Sequence, residues 1–448
     1  MKKLFGTDGI RSKAGEFPLD ESTVAIIGRS LSRKFKEQLG RPARIVTGRD
    51  TRESGGWIER AFHAGAIDDG AVCESAGVIT TPGVAFITKQ FEFDAGIVIS
   101  ASHNPYEDNG IKIFSPDGKK VGEETERFIE NEIAEAGLHP DISFETSVDD
   151  SKAADFQSAY ADHLYSEYEG EHLKNFRMAV DCANGAASDL AARLFERLGA
   201  DVTSFNNIPD GRNINHDCGS LHLEHLQSRV LSDGSDFGVA FDGDADRALF
   251  VDEKGNIVDG DATLWIMAQF LRNKGGLIND TVVATVMSNI GLEIALGGIG
   301  LKLLRTPVGD KYVLDELIRT GSELGGEQSG HVIFPKESLV GDGLMTTLFM
   351  LQAISESKKP FSKMVEGFTR YPQVLVNVRV REKQPFESVP EIFEGARQIE
   401  HELDGHGRLL LRYSGTENLA RVMIEGKDQT DIERQANGLA AVIRTALG

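Results

Sequence analysis

Residues 95–114 read A-G-I-V-I-S-A-S-H-N-P-Y-E-D-N-G-I-K-I-F. The run Ile97-Val98-Ile99 is apolar at consecutive positions, as in a strand buried on both faces. It stops at Ser100-Ala101-Ser102-His103-Asn104-Pro105, whose small polar residues and closing proline are turn chemistry. Ile111 to Phe114 resumes an apolar run with Lys112 inside it. A hydroxyl, an imidazole and an amide therefore sit on a loop at the end of a central strand, with a lysine returning beside them. Open α/β sheets place their ligand chemistry at such strand ends. Taken alone, a solvated turn remains the plainer alternative for this stretch.

Working outward, the neighbouring sequence alternates strand and helix. Arg44 to Gly48 is β-rich and ends in Gly48-Arg49-Asp50-Thr51-Arg52. A helix follows with Ile58, Phe62 and Ala66 on one face, stopped at Gly70. Ala71 to Ile79 is strand again, and Thr81-Pro82 opens a short helix. These are βα units of a parallel sheet. A second alternation starts at Arg177 and passes through a helix at Ala187 to Leu198. It reaches Phe237 to Phe241, the loop Asp242-Gly243-Asp244-Ala245-Asp246-Arg247, and a hairpin turn at Glu253 to Asn256. A third follows, with strands near Val282 and Leu301, a helix after Val308-Gly309-Asp310, and the loop Gly325 to His331. The last stretch differs. Val374, Val376, Val378 and Val380 alternate strictly, as in a sheet with one wet face. A closing helix puts Ile432, Ala436, Leu439, Ala440, Ile443 and Leu447 on one side, with Thr430 and Glu433 as a capping box. The expected fold class is α/β: three similar α/β domains with mainly parallel sheets and a C-terminal α+β domain, around one central cleft. Their expected limits are 1–150, 151–256, 257–368 and 369–448.

The 448-residue length exceeds one core of ordinary size, and 40% hydrophobic with 26% charged residues describes a globular chain. No apolar run approaches the roughly 18 residues that span a bilayer, so no membrane partner is expected. Gly6 and Asp8 interrupt the start before an apolar segment of signal-peptide length forms, so no signal peptide is expected there. Cys73, Cys182 and Cys218 are odd in number and far apart, so neither a disulfide framework nor a cysteine metal site is indicated. Cytoplasmic localisation is expected. The net charge of −22, from 48 basic and 70 acidic residues, argues against nucleic acid. A phosphorylated small ligand would need a local cluster of cations to offset that field.

Asp242, Asp244 and Asp246 form a D-x-D-x-D past an apolar strand. Such close carboxylates repel one another unless a cation lies among them. The spacing resembles a calcium-binding EF-hand loop, with Glu253 at its last position. That loop needs glycine where Arg247 stands, and helical flanks where these look like strands. Magnesium, completed by a phosphate oxygen, suits an open loop better. Gly326-Glu327-Gln328-Ser329-Gly330-His331 offers donors and acceptors suited to vicinal sugar hydroxyls, although alone it reads more readily as a structural loop. Arg412-Tyr413-Ser414-Gly415-Thr416, followed by Arg421, has the composition of a phosphate clamp. With Lys112 and Arg247, these arginines supply the local cations.

Together the motifs resemble the α-D-phosphohexomutase family over essentially the whole chain. The matching stretches are Phe5-Gly6-Thr7-Asp8-Gly9-Ile10-Arg11, Ser100 to Pro105, Asp242 to Arg247 and Gly326 to His331. Gln328, where other branches carry methionine, and Val286-Met287-Ser288-Asn289-Ile290-Gly291-Leu292 are most similar to the branch acting on glucosamine phosphates. The resemblance implies interconversion of glucosamine 6-phosphate and glucosamine 1-phosphate through phosphoserine and a 1,6-bisphosphate. Relatives that act on glucose or mannose phosphates are the alternative, and a non-catalytic sugar-phosphate binder is a third possibility.

The resemblance also implies the residue roles. Ser102, rather than Ser100, carries the phosphoryl group, and Asp242, Asp244 and Asp246 share one Mg²⁺ with it. Arg11, His103, Lys112 and Arg247 surround the transferring group, with Lys112 as a proton-transfer group. Glu327, Ser329 and His331 meet the sugar. Arg412, Ser414, Gly415, Thr416 and Arg421 hold the other phosphate. The four domains accordingly carry phosphoserine, metal, sugar and phosphate in that order. A glucosamine or glucose 1,6-bisphosphate activator and a homodimer are implied as well. One departure stands out: Asn418 replaces the family's usual proline after S-G-T-E. Tyr413 is also unusual and either touches ligand or packs.

Overall fold

A computed structural model describes residues 3–135, 142–144, 146–414 and 417–448. The chain forms two compact units, Met1–Met287 with Leu301–Glu366, and Ser288–Gly300 with Gly367–Gly448.

Among the described residues the first unit holds three sheets. In the first, β1 (Phe5–Gly6), β2 (Gly9–Lys13), β3 (Arg44–Arg49), β4 (Val72–Val78), β5 (Ala95–Ile99) and β6 (Asp108–Phe114) lie in the order β1-β2-β6-β5-β3-β4. The second contains β7 (Arg177–Asp181), β8 (Asp201–Phe205), β9 (Phe237–Phe241), β10 (Ala248–Asp252) and β11 (Ile257–Val258), ordered β11-β10-β9-β7-β8. The third contains β12 (Thr281–Thr285), β13 (Lys302–Thr306), β14 (Gly325–Gly326) and β15 (Val332–Ile333), ordered β13-β12-β14-β15.

Each sheet has a core of three parallel strands, and a fourth strand joins it antiparallel: β6 on β5, β10 on β9, β15 on β14. The sheets are therefore mixed, and the expectation of mainly parallel pairing applies to their cores alone. The reason is local. The chain after the third parallel strand turns straight back through a short loop, and a short loop can join only antiparallel neighbours. Those three returns are the loops Ser100–Glu107, Asp242–Arg247 and Glu327–His331, so one repeated topology sets all three at equivalent positions. No helix flanks the aspartate loop, which rules out the EF-hand geometry.

Strands β5 and β9 are buried along their whole length, as their unbroken apolar runs require. The helix Thr81–Gln90 starts where the sequence suggested, with Thr80 capping Gly83 N–H. The helix expected at Ala187 to Leu198 spans Leu190–Arg197, three residues shorter at its start, because Gly185 to Asp189 forms turns instead.

In the second unit, β16 (Gln373–Arg379), β17 (Arg408–Tyr413) and β18 (Leu419–Glu425) form an antiparallel sheet ordered β16-β18-β17. Val378, Val380, Val422 and Ile424 pack on Ile432, Ala436, Leu439 and Ile443 of the closing helix. That helix, Gln429–Leu447, is capped by Asp428, whose side chain accepts from Asp431 N–H. The expected capping box of Thr430 and Glu433 is thus wrong: an aspartate one residue before the first turn takes the cap, and both residues fall inside the helix. The helix Ile290–Gly298 belongs to this unit. Buried Glu425 accepts from Ile290 N–H at 3.1 Å and from Arg408 Nε at 3.0 Å. Tyr413 packs: its ring stacks on Phe386 with centroids 4.2 Å apart, and its hydroxyl donates to Gln384 O at 2.5 Å.

Candidate active site

Ser102 is fully buried and has φ +53°. A non-glycine residue in the left-handed region is costly, and such strain is held only where surroundings over-determine it. Here the surroundings are polar. Ser102 N–H donates to Ser100 Oγ at 2.9 Å, which gives the first serine of the motif a supporting role. The Ser102 carbonyl accepts from Arg52 at 3.1 Å and Asn215 at 2.8 Å. The result aims Ser102 Oγ at Asp242 Oδ2, 2.5 Å away, with His103 Nδ1 at 3.3 Å.

Asp242, Asp244 and Asp246 are buried and bring one carboxylate oxygen each within 4.8 Å of the others. Thr81 fixes Asp244 twice: its hydroxyl donates to Asp244 Oδ2 at 2.6 Å and its N–H to the Asp244 carbonyl at 3.0 Å. Arg247 N–H donates to Asp242 Oδ1 at 3.2 Å. Burial, then the charges of Asp246 and Asp244, pushes the Asp242 carboxyl up to about 8. Asp244 Oδ1 and Asp246 Oδ1 are buried without a hydrogen-bond partner among the described residues. Orphaned, mutually repelling carboxylate oxygens on a hairpin loop fit a hard divalent cation with open positions.

Lys112, from β6, donates to Asp244 at 2.8 Å and Asp246 at 3.1 Å and lies 3.2 Å from Asp8. Burial works against its charge, but those carboxylates hold its pKa well above the ordinary value. Burial, reinforced by Arg247 and Arg11, pulls His103 down to about 4, so its imidazole is neutral at pH 7. Arg11 pairs with Asp8, and Lys120 bridges Asp8 and Asp310 at 2.5 Å each.

A cavity of about 350 Å³ opens beside these groups, lined by Arg11, Arg247, Asp310, Glu327 and His331 together with Asp8 and Asp246. Gly309 N–H donates to Glu327 Oε1 at 3.1 Å. Gly341 N–H donates to His331 Nε2 at 3.1 Å, so Nδ1 faces Asp246 Oδ1 at 3.5 Å. Ser329 Oγ is buried with no hydrogen-bond partner among the described residues, and Ser329 does not line the cavity.

Arg11, Ser102, His103, Lys112, the three aspartates, Arg247, Glu327 and His331 are therefore brought together within the first unit. Arg412, Ser414 and Arg421 lie in the second, where Arg412 and Arg421 face each other across β17 and β18. Gly415 and Thr416 lie outside the described residues. The sequence missed Asp8, Thr81, Lys120, Asp310, Arg52 and Asn215. Asp8 and Arg52 sit inside motifs that stood out for other reasons, while Lys120 and Asn215 carry no local signal.

Four family models match the chain in order: phosphoglucomutase/phosphomannomutase α/β/α domain I over residues 2–139, domain II over 158–255, domain III over 259–371 and the C-terminal domain over 375–442. The phosphoglucosamine mutase of Solibacter usitatus is 46% identical over 100% of this chain and 99% of its own length. That of Caldicellulosiruptor bescii is 44% identical over 100% of both. Among solved structures, a phosphoglucomutase/phosphomannomutase family protein from Burkholderia thailandensis superposes with TM-score 0.80 at 22% identity, covering 100% of this chain and 98% of its own. The N-acetylphosphoglucosamine mutase of Aspergillus fumigatus, in complex with GlcNAc-6P and magnesium, gives 0.67 at 19% identity, covering 99% and 96%.

Proposed function

The chain belongs to the α-D-phosphohexomutase family, and from that premise we propose that it interconverts glucosamine 6-phosphate and glucosamine 1-phosphate as an intramolecular phosphotransferase. The observation that carries the chemistry is the strained, buried Ser102, its hydroxyl 2.5 Å from the first of three clustered aspartates. Identity of 44–46% to curated phosphoglucosamine mutases over the whole chain supports the glucosamine substrate.

In this proposal the phosphorylated Ser102 transfers its phosphoryl group to the free hydroxyl of the sugar monophosphate. The P–O bond to Ser102 breaks as the P–O bond to the sugar forms, the sugar hydroxyl losing its proton and the departing Ser102 Oγ gaining one, which gives a 1,6-bisphosphate and free serine. The intermediate reorients, and its other phosphoryl group returns to Ser102. Phosphoryl transfer asks the protein chiefly for positioning and charge neutralisation. Arg11, Arg247 and Lys112, which is protonated at rest, supply the cations. Lys112 can donate a proton to a leaving oxygen. Neutral His103 places its Nδ1 3.3 Å from Ser102 Oγ. Asp242, Asp244 and Asp246 would hold Mg²⁺, which supplies Lewis-acid neutralisation of phosphoryl charge when bound. Glu327 and His331 meet sugar hydroxyls from the cavity wall, with Ser329 in the same loop. Arg412, Ser414, Gly415, Thr416 and Arg421 bind the phosphate that is not reacting.

The proposal extends to domains at 1–150, 151–256, 257–368 and 369–448, a bisphosphate activator, and a cytoplasmic homodimer. Among the described residues no helix is long and apolar enough to cross a membrane.

The test is turnover with Mg²⁺ and trace glucose 1,6-bisphosphate, comparing glucosamine 1-phosphate with glucose 1-phosphate, and intact-mass analysis of Ser102. A kcat/KM preference for glucosamine with phosphate on Ser102 is expected. Comparable rates on glucose phosphate would move the protein to the dual-specificity branch. Absence of turnover despite phosphorylated Ser102 would overturn catalysis.

A further inference from the structure

Two carbonyls on the nucleophile loop are each held twice by side chains distant in sequence. Arg52 Nη2 donates to Ser102 O at 3.1 Å and to Asn104 O at 2.7 Å. Asn215 Nδ2 donates to the same pair at 2.8 and 3.0 Å. Arg52 is 1% exposed, with Asp50 3.4 Å from its Nη1. Asn215 itself has φ +57°. Its backbone N–H donates to Ala183 O at 3.0 Å, which anchors it to the second domain. Gly243 closes the third side. A methyl there would stand 2.5 Å from Ser102 O and 3.0 Å from Asn215 Nδ2. The loop has therefore little freedom to relax Ser102 out of the left-handed region.

We propose that Arg52 and Asn215 are positioning residues for phosphoryl transfer, clamping the Ser102 and Asn104 carbonyls so that Ser102 keeps the conformation that aims its hydroxyl at Asp242. The proposal rests on the mutase reading for its chemistry and on hydrogen bonds alone for its geometry. Both donors act through backbone oxygens and neither touches the reacting oxygen. Releasing one side of the clamp lets the strained residue relax toward ordinary backbone, and a displacement near 1 Å at a reacting atom costs on the order of 100-fold in rate.

The test uses the full-length Mg²⁺-loaded protein as wild type, Asn215→Ala, Asn215→Asp, Arg52→Lys and Arg52→Ala. Steady-state kinetics with glucosamine 1-phosphate are read beside amide hydrogen exchange of the peptide covering residues 99–106. Asn215→Ala is expected to lower kcat by about 10- to 100-fold with KM within about twofold, and to speed exchange in that peptide. Asn215→Asp should be worse than alanine, since a carboxylate sets two acceptors against two carbonyls. Arg52→Lys should recover part of the activity lost in Arg52→Ala, and if the alanine variant fails to fold the asparagine pair decides alone. Unchanged exchange in Asn215→Ala overturns the clamp. Faster exchange with unchanged kcat overturns its role in transfer. A wild type that turns over no hexose phosphate overturns the mutase reading and the role in transfer with it, while faster exchange in the variant would still uphold the clamp.

Discussion

The ammonium of Lys112 stands 2.8 Å from Asp244 Oδ2, with both side chains withdrawn from solvent. Asp246 and Asp8 complete its shell at 3.1 and 3.2 Å. Their charge outweighs burial and holds the lysine protonated, so its resting role is that of an acid and a counter-charge.

Lys112→Met should therefore lower kcat by about 10²- to 10⁴-fold, the range for losing a positioned acid or base. Lys112→Arg should not restore it, because a planar guanidinium cannot occupy the pocket of a compact ammonium. Steady-state kinetics decide the matter, and a methionine variant within a fewfold of wild type would sink the assignment.

Magnesium uptake should release protons. In metal-free protein Asp242 is pushed up to about 8 by burial and by Asp246 and Asp244, so it is largely protonated at pH 7. Binding of a divalent cation should then displace about one proton, and affinity should rise with pH up to that value. Calorimetry in buffers of different ionisation enthalpy reads the proton count; none released would contradict it. The same shift fixes a stability trend. Between the ordinary carboxylate range and about 8, the folded metal-free protein holds a proton that the unfolded chain has lost. Its stability from this group therefore falls as pH rises through that window. Asp242→Asn should flatten the trend in EDTA.

Gly343 begins a helix at a place where alanine would ordinarily help by up to about 1 kcal/mol. A methyl there would meet Arg247 O at 2.6 Å and Ala245 O at 3.0 Å. Both are backbone atoms of the aspartate loop, and Gly343 N–H donates to that same Ala245 oxygen at 3.0 Å. The clash should win: Gly343→Ala should lose about 1–3 kcal/mol of stability, the usual cost of overpacking, and should weaken Mg²⁺ binding. Urea denaturation measures the first; a stabilised variant would show that the loop yields freely.

The parts of the site legible in the sequence are those written as contiguous loops. Ser102, the three aspartates and the Glu327 to His331 loop each lie between apolar strands, and strand-loop-strand patterning is a local signal. The alternation of helix and strand gave the parallel cores for the same reason. Asn215 was illegible because its partner Ser102 is 113 residues away, and an isolated asparagine between turns has no pattern. Lys120 gains its role only when folding sets it between Asp8 and Asp310. The helix cap at Asp428 was missed because Thr430 with Glu433 also satisfies the capping pattern, and only backbone conformation distinguishes the two starts.

The second unit yields a prediction of opposite signs. Arg412 and Arg421 are directly opposed across an antiparallel pair, and like charges so placed destabilise a sheet. Burial, then the Arg421 charge, pulls Arg412 below its usual value, and Arg421 Nε is buried without a hydrogen-bond partner among the described residues. A phosphate beside Arg421 would satisfy that nitrogen and offset the repulsion. Arg421→Ala should accordingly leave the unliganded protein as stable as wild type or slightly more so. It should also lose most of the rise in Tm that millimolar inorganic phosphate gives, because ligand stabilisation scales with affinity for the folded state. With hexose phosphate, KM should rise by about 10-fold or more, as expected on removing a charged contact to phosphate. A variant that is strongly destabilised without ligand, yet keeps its phosphate response and its KM, would make Arg421 a structural residue of the sheet and remove it from the phosphate site.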